Sequence, residues 1–509
     1  MRYFNTSGPN IIQQHYTLMR PELVLNGLNK VHKERYFTIW APRQTGKSTY
    51  FHLLAAKLEE EGYKVVNVNF ESFRIQSLKD FLIRLNNHLT RQLGVLFQET
   101  TLAAVFEQME NLKQHKLVLI IDEVEGINAE YFGDVLHAIR NAYHSRSSNA
   151  LKSVILVGVS NIVGVVQDNA SPFNIADNLN IPYFTDAEVA ELLGQHETET
   201  GQLFDPSVKT KISYITANQP GLVNGFAALL VENNPKNTII TYEDYLKVEN
   251  FYLKEAIDKN ISNIVNKAKK YQSFVERLLF VETKVPFQIH REAIKELYVN
   301  GVIGRDENDY VVFRVPLYQK CLHAAFYPYM NGEVDRIGGS INVEDYFTEG
   351  GLFLIDNVIA KYKEYALRRR FRYFREKDKN GEYYTLKEAT LVYSFETFIN
   401  AFLSIVGGKS YLEAQTGLGR TDLLINVNNK EFVIEAKVYS NITQFNQGKK
   451  QLANYAKSLN LDTAIYLVFV ESEVTNKNVI EAVELIEDVY IKTHLILYNL
   501  EKDFMTDSM

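Results

Sequence analysis

Residues Tyr36-Phe-Thr-Ile-Trp-Ala-Pro-Arg-Gln-Thr-Gly-Lys-Ser-Thr-Tyr50 constrain the fold more than any other stretch. Tyr36 to Trp40 are apolar and β-prone. Ala41 to Gly46 read as a tight turn, and Tyr50, Phe51, Leu53, Leu54 and Leu58 then recur with helical spacing. Strand, loop and helix in that order require a sheet for the helix to pack on. The end of the loop matches G-x-x-x-x-G-K-[ST], with Ala41 in place of the first Gly. In such a loop (Ala41, Pro42, Arg43, Gln44, Thr45, Gly46, Lys47, Ser48, Thr49), successive backbone N–H groups curl around a polyphosphate at a helix N-terminus. Gly46 lets the backbone approach, Lys47 bridges the β- and γ-phosphates, and Ser48 places its hydroxyl on Mg2+. Ala41 has less access to positive φ than Gly, so the geometry of the first loop position is a point to check.

A second feature supports a nucleotide site. Lys116-Leu-Val-Leu-Ile-Ile-Asp-Glu-Val124 is a continuous apolar run ending in two carboxylates. That pattern fits a central parallel strand with acids at its C-terminal end, where open α/β sheets bind ligands. Asp122 is expected to hold Mg2+ through water, and Glu123 to orient or deprotonate the attacking water. Ser153 to Ser160 reads as the next buried strand. Its end, Ser160-Asn161, is either a polar sensor of the γ-phosphate or an ordinary strand-end cap. Tyr63 to Phe70 reads as a strand, followed by helices between about 77 and 113 and another over about 131–146. Ile181-Pro-Tyr-Phe184 reads as the last strand. A helical lid then opens with the capping box Thr185-Asp-Ala-Glu188. Within the lid, Asn218-Gln-Pro-Gly-Leu-Val-Asn224 starts a helix whose N–H groups either face the nucleotide or bind nothing. Asn5 to Pro9 form a loop or part of a rim for the nucleotide.

Composition narrows the rest. With 509 residues the chain exceeds one core, and two to four domains are expected. A net charge of −7 gives no global basic footprint, so nucleic-acid contact must come from a local patch. The single cysteine, Cys321, excludes an internal disulfide and a cysteine-rich zinc site. No apolar signal core opens the sequence, and no apolar run approaches the ~18 residues of a membrane span. A cytoplasmic location is expected.

Ala41 to Thr49, the Asp122-Glu123 strand, Ser171-Pro-Phe-Asn-Ile175 and Gln219-Pro-Gly-Leu-Val223 together resemble AAA-like ATPases of the signal-transducing, STAND-related branch. The resemblance covers about residues 3–260. It implies a parallel-sheet core with a helical lid, ATP and Mg2+ as cofactors, and slow hydrolysis suited to a switch. Arg140 and Arg146 are candidates for an arginine finger or plain solvated residues. Two helical segments, 274–280 and 291–298, and a hairpin around Asp306-Glu-Asn-Asp309 resemble a winged helix. Its acidic tip favours packing over DNA reading. Three glycines mark a linker before the last domain. The expected domains are 1–185 (ATPase core), 186–264 (lid), 265–331 (winged-helix-like unit), 332–344 (linker) and 345–509.

The last domain carries a second constellation. Residues 361–379 interleave Lys and Arg with aromatics, the footprint of a nucleic-acid surface. Tyr393 to Leu403 form an amphipathic helix bearing Glu396. Asp422 begins a strand, Asn428-Asn429 turns it, and Glu431 to Val438 return. Glu435 and Lys437 are two apart and share a face. Asp422 and Glu435, with the Ala436 carbonyl, form an oxygen set for Mg2+ or Mn2+. Lys437 is placed to orient a water or stabilise charge. Glu396, or less directly Glu413, could serve a second metal, and Gln451 lies on the following helix. Asp422, Glu435-Ala-Lys437 and Gln451 resemble the PD-(D/E)XK nuclease superfamily over about residues 345–500, with Thr421 replacing the motif's Pro. This implies an α/β restriction-endonuclease-like domain. The expected protein is therefore a multidomain α/β ATPase coupled to a metal-dependent nuclease, with DNA ahead of RNA as substrate. Defence and mobile-element control are the roles that such fusions suggest. The alternative is a nucleotide-switched regulatory or nucleic-acid-binding protein with a non-cutting nuclease fold. Homo-oligomerisation is open in both.

Overall fold

The computed structural model describes residues 1–73, 77–127, 129–158, 177–235, 238–255, 258–281, 283–326, 343–348, 351–369, 371, 384, 386–416, 419–428, 430–470 and 479–498. Ser160, Asn161, Ser171 to Ile175 and the 332–340 glycine-containing stretch lie outside them. The chain forms two compact units, Met1–Lys267 with Pro286–Gln319, and Ala268–Val285 with Lys320–Met509. Among the described residues, no helix is long and apolar enough to cross a membrane.

The first unit is built on a five-stranded sheet with order β2-β3-β4-β1-β5. Its strands are β1 (Phe37–Trp40), β2 (Lys64–Asn69), β3 (Leu117–Asp122), β4 (Leu151–Gly158) and β5 (Asp177–Asn180), and all pair in parallel. Alternate residues of β3 feed opposite cores, as a pleated strand requires. Val118 and Ile120 pack with α1 (Pro21–His32) and α2 (Lys47–Glu60). Leu119 and Ile121 pack with α3 (Leu78–Leu93), α4 (Leu102–Glu110) and α5 (Ala129–Ser145). Helices on both faces explain why the central strands are apolar throughout.

The last strand is not Ile181–Phe184 but Asp177–Asn180, in register with Phe37–Trp40. Pro182 has no N–H for a ladder, which disfavours a strand through it. The polar strand Asp-Asn-Leu-Asn is tolerated because it is an edge. Arg35 and Lys30 also pair with the Asp177 carboxylate at 3.1 and 3.3 Å.

The helical segment follows with α6 (Asp186–Thr200), α7 (Pro206–Thr216), α8 (Pro220–Asn233), α9 (Tyr242–Lys254) and α10 (Lys259–Lys270). Both halves of the Thr185–Glu188 capping box form. Two short strands, β6 (Leu203–Phe204) and β7 (Ile239–Ile240), pair within it. Next come α11 (Gln272–Phe280), which belongs to the second unit, and α12 (Glu292–Val299) with the hairpin β8 (Ile303–Arg305) and β9 (Val311–Phe313), which belong to the first.

The second unit contains α11, the end of α13 (Pro316–Phe326), α14 (Ile355–Arg369), α15 (Glu388–Val406) and α16 (Ile442–Ser458). Its mixed sheet has order β10-β11-β12-β13-β15-β14. The strands are β10 (Lys409–Thr416), β11 (Gly419–Val427), β12 (Lys430–Val438), β13 (Thr463–Val470), β14 (Ala482–Ile486) and β15 (Val489–Leu497). Antiparallel hairpins join β10 to β12, α16 crosses over, and β13 returns parallel to β12. The Phe280 carbonyl accepts from Lys387 N at 3.0 Å and Thr390 Oγ1 at 2.9 Å, which ties α11 to the start of α15.

The described aromatics of the basic stretch are core residues and not a stacking platform, while Tyr373 and Phe374 lie outside the described residues. Tyr362, Tyr365 and Phe371 are buried, and Tyr362 and Tyr365 pack against Phe398 of α15. Their i, i+3 spacing puts both tyrosines on the core face of α14. Lys361 pairs with Glu364 and Lys363 with Glu481. Residues 370 and 372–379, with Arg370 and Arg372, and the side chains of Arg368 and Arg369 lie outside the described residues.

Candidate functional site

The phosphate loop ends where α2 begins. Gly46 has φ 85° and ψ 15°, and a side chain there would be strained. Gln44 is also left-handed, with φ 57°, so the loop's positive φ falls on Gln44 and Gly46 and not on Ala41. Ala in place of the first Gly therefore costs the loop nothing in backbone strain. Thr45 Oγ1 donates to the Pro42 carbonyl at 3.0 Å. Lys47 is buried, and its Nζ donates to the Ala41 and Pro42 carbonyls at 2.7 and 2.9 Å. The cation is thus held inside the loop by oxygen acceptors that phosphate oxygens can replace. Ser48, the second residue of α2, is half-buried. Thr49 Oγ1 accepts from Asn10 N at 3.1 Å, while the Asn5 side chain closes its own loop on Gly8 O and Pro9 O.

Asp122 ends β3 two strands from β1, about 10 Å away across the sheet. The pairing aligns Ile121 with Leu156 and Leu156 with Thr38, so Asp122 is level with Ile39 at the same sheet edge as the loop. Its Oδ1 accepts from Glu123 N at 2.9 Å. Glu123 adopts φ 51°, which a non-glycine residue seldom does, and this turns it off the strand direction.

The start of α8 does not offer free N–H groups to a ligand. Gly221 N donates to Gln44 O at 2.9 Å, Leu222 N to Gln219 Oε1 at 2.7 Å, and Val223 N to Gln219 O at 2.9 Å. Gln219 Nε2 donates to Arg43 O at 3.2 Å. The helix start instead grips the loop's backbone. A Cβ on Gly221 would lie 2.6 Å from Gln44 Cβ, so only glycine fits. Arg146 bonds the Tyr143 carbonyl and lies 3.8 Å from that ring, so it is engaged within α5 and its flank.

In the second unit, the β11–β12 hairpin does bring Asp422, Glu435 and Lys437 together. Lys437 Nζ lies 3.1 Å from Glu435 Oε1, 3.8 Å from Asp422 Oδ2 and 2.9 Å from Glu388 Oε1. Asp422 Oδ2 accepts from Ala436 N at 2.7 Å. Glu435 is 2% exposed and its Oε2 has no hydrogen-bond partner. Burial, then the Glu435 charge, pushes the Asp422 carboxyl up to about 8. Burial raises Glu435 as well. Burial opposes the Lys437 ammonium, but Asp422, Glu435 and Glu388 outweigh it and hold its pKa above the ordinary lysine value.

Among the described residues, no three His, Cys, Asp or Glu side chains are grouped to hold an ion. Two carboxylates, one with an orphaned buried oxygen, are the oxygen donors that the structure shows here, fewer than Mg2+ takes without water and phosphate.

Glu396 is not part of this cluster. Its Oε1 accepts from Asn400 Nδ2 at 2.5 Å and Ser410 Oγ at 2.9 Å. It lies eight residues, about 12 Å, along α15 from Glu388. Glu388, not Glu396, is the glutamate of this helix that pairs with Lys437. Both glutamates sit on one helix, and only its docking register decides which meets Lys437. The side chain of Glu413 lies outside the described residues. Gln451 lines a cleft of about 240 Å³ with Glu388, Lys437, Ser440, Gln444 and Tyr466. Its amide donates to the Tyr455 hydroxyl. Tyr466 stands beside Glu435 in the β12–β13 register. A Cβ on Gly448 would come 2.2 Å from the Tyr466 hydroxyl, so the glycine makes room for that ring.

The sequence of residues 16–324 matches the family described as AAA-like domain, and residues 355–473 match a domain of unknown function, DUF8371. No curated protein matches. Similar solved structures include a Walker-type ATPase of Pyrococcus abyssi, at 13% identity and TM-score 0.48, covering 63% of this chain and 99% of that one. They also include the RuvB Holliday junction branch migration motor of Thermotoga maritima, at 14% identity and TM-score 0.35, covering 58% of this chain and 90% of that one. The Orc1 protein of Aeropyrum pernix, solved in complex with DNA, is similar at 13% identity and TM-score 0.34, covering 60% and 93%.

Proposed function

The chain belongs to the AAA-like domain family, and on that premise we propose that it binds and hydrolyses ATP and couples this to metal-dependent cleavage of nucleic acid, DNA in the first instance. The observation that carries the first half is the loop itself: a left-handed Gly46, a buried Lys47 on carbonyl oxygens, and Asp122 level with the strand that feeds it. The amides of residues 42–48 would cradle the phosphates, Lys47 would leave its carbonyls for the β- and γ-oxygens, and Ser48 and Asp122 would hold Mg2+. Glu123 would take the proton of the attacking water. Ser160 and Asn161 are proposed to sense the γ-phosphate.

The observation that carries the second half is Lys437 set among three carboxylates, one of them with an unsatisfied buried oxygen. A buried acceptor without a partner is costly in a merely structural triad, and a cation bound there would satisfy it. Asp422, Glu435 and the Ala436 carbonyl would hold Mg2+ or Mn2+, which when bound polarises phosphate and acidifies water. Lys437 would hold the attacking water or the developing charge, with Glu388 fixing its ammonium. Gln451 would orient groups in the same cleft. The basic residues of 361–379 would carry phosphate contacts.

Plasmid DNA incubated with the intact chain and Mg2+ or Mn2+, with and without ATP, tests the reading. Metal-dependent strand breaks that vanish in Lys437→Ala support it. Binding without cutting in every condition leaves the regulatory alternative in its place.

A further inference from the structure

We propose that Arg314 is a phosphate-contacting residue of the nucleotide site, delivered in cis by the β8–β9 hairpin; this rests on the reading of the Ala41–Thr49 loop as an ATP site. The hairpin is rooted against that loop. Gly301 ends α12 with φ 78°, and Gly301 N and Val302 N donate to Tyr298 O at 3.0 Å and Leu297 O at 2.9 Å, closing the helix. A Cβ on Gly301 would lie 3.0 Å from Pro42 Cβ, 3.1 Å from Pro42 Cγ and 3.4 Å from the Tyr183 hydroxyl. The root of the hairpin therefore touches the second residue of the phosphate loop.

Arg314 follows β9 directly. Its N donates to Val302 O at 3.4 Å, and its stem packs over Gly304. Its guanidinium carbon lies 3.9 Å from the centroid of the Tyr183 ring. One aromatic ring thus carries Arg314 on its face and turns its hydroxyl toward Gly301 beside Pro42. The Tyr183 backbone is fixed in turn by Arg20, whose Nη2 donates to Tyr183 O at 3.3 Å.

Arg314 differs from Arg20 and Arg35 of the same unit in what it pairs with. Arg20 has Glu188 at 2.8 Å, and Arg35 has Asp177 at 3.1 Å. Among the described residues, no carboxylate pairs with Arg314. A half-buried guanidinium held on a ring is oriented but not neutralised. Its planar donor fork suits phosphate oxygens. The stem is long enough to leave the ring face without moving the hairpin, and phosphates bound by the loop would draw it. The hairpin would then read whether nucleotide is present.

Binding of a fluorescent ATP analogue by the full chain in Mg2+ tests this, with Arg314→Ala, Arg314→Lys, Arg305→Ala and Lys47→Ala compared. Loss of one charged hydrogen-bond donor should weaken binding about tenfold or more in Arg314→Ala. Arg314→Lys should recover part of it, because charge returns without the fork. Arg305, exposed at the hairpin and paired with Asp309, should change binding by less than about twofold, which separates the guanidinium from general hairpin damage. Adenosine, without phosphates, should compete equally in the wild type and Arg314→Ala. Wild-type affinity in Arg314→Ala, with loss in Lys47→Ala, overturns the proposal while the ATP site stands. No binding by the wild type overturns both.

Discussion

Lys47 is the residue on which the nucleotide reading turns. Lys47→Ala should abolish ATP binding, measured by equilibrium titration, because no other buried cation is held in the loop by its own carbonyls. Glu123→Gln should bind ATP normally and hydrolyse it ~100-fold more slowly, since the amide keeps the left-handed turn and loses the base. Equal turnover in a phosphate-release assay would remove Glu123 from that role. In the second unit, Asp422 makes a pH prediction. Its carboxyl is raised from the ordinary value to about 8 in the folded chain. The folded state therefore binds the proton shared by Asp422 and Glu435 more tightly than the unfolded state, and the pair's contribution to stability falls as pH rises above the ordinary carboxylate range. Without metal, Asp422→Asn should gain stability over the wild type, and gain more at pH 8 than at pH 5, in urea denaturation with chelator present. A constant difference would contradict the buried-acid account. Lys47, Asp422, Glu435 and Lys437 were legible because each breaks a local pattern at a fixed spacing. Glu388 was not, because the choice between it and Glu396 depends on how α15 docks.

At the scale of elements, α8 and the phosphate loop act as one piece. Gly221→Ala should force Gln44 aside, lower stability by about 1–3 kcal/mol, and weaken ATP binding along with it. Calorimetric melting and nucleotide titration on the same variant check this; a variant that melts early but binds ATP as tightly as the wild type would show the latch to be structural only. The sequence showed that a helix begins at Gln219-Pro220, through its cap and its proline. It did not show that Gly221 N is consumed by Gln44 or that Gln219 bonds Arg43, since those bonds join residues far apart in the chain. The edge strand moved for a similar reason. Ile181 to Phe184 is the more apolar run, yet Pro182 cannot pair, and Asp177 finds Arg35 and Lys30. Tyr362 and Tyr365 read as part of a binding surface because composition carries no information about which helix face meets α15. The continuous apolar run of β3 and the β11–β12 hairpin were readable, since both are local.

For the whole molecule, the chain interleaves its two units: residues 268–285 belong with the second and 286–319 with the first. No composition shift marks either crossing, so this was not readable. Phe280 within the first crossing bonds Lys387 and Thr390, on either side of Glu388. If the two sites are coupled, one route open to that coupling is the chain itself, from Lys267 into α11 and through the Phe280 bonds to the start of α15. Thr390→Val should leave ATP hydrolysis intact and reduce the dependence of cleavage on ATP; unchanged dependence would remove this route. The central claim is that one chain joins a working phosphate loop to a working acid–lysine site. Its most direct test is Mg2+-dependent DNA cleavage by the full chain with and without ATP, run side by side on the wild type, Lys47→Ala and Lys437→Ala, each shown to be folded. The account predicts ATP-responsive cleavage in the wild type, cleavage without ATP response in Lys47→Ala, and loss of cleavage with retained ATP hydrolysis in Lys437→Ala. Cleavage by Lys437→Ala at the wild-type rate would contradict it.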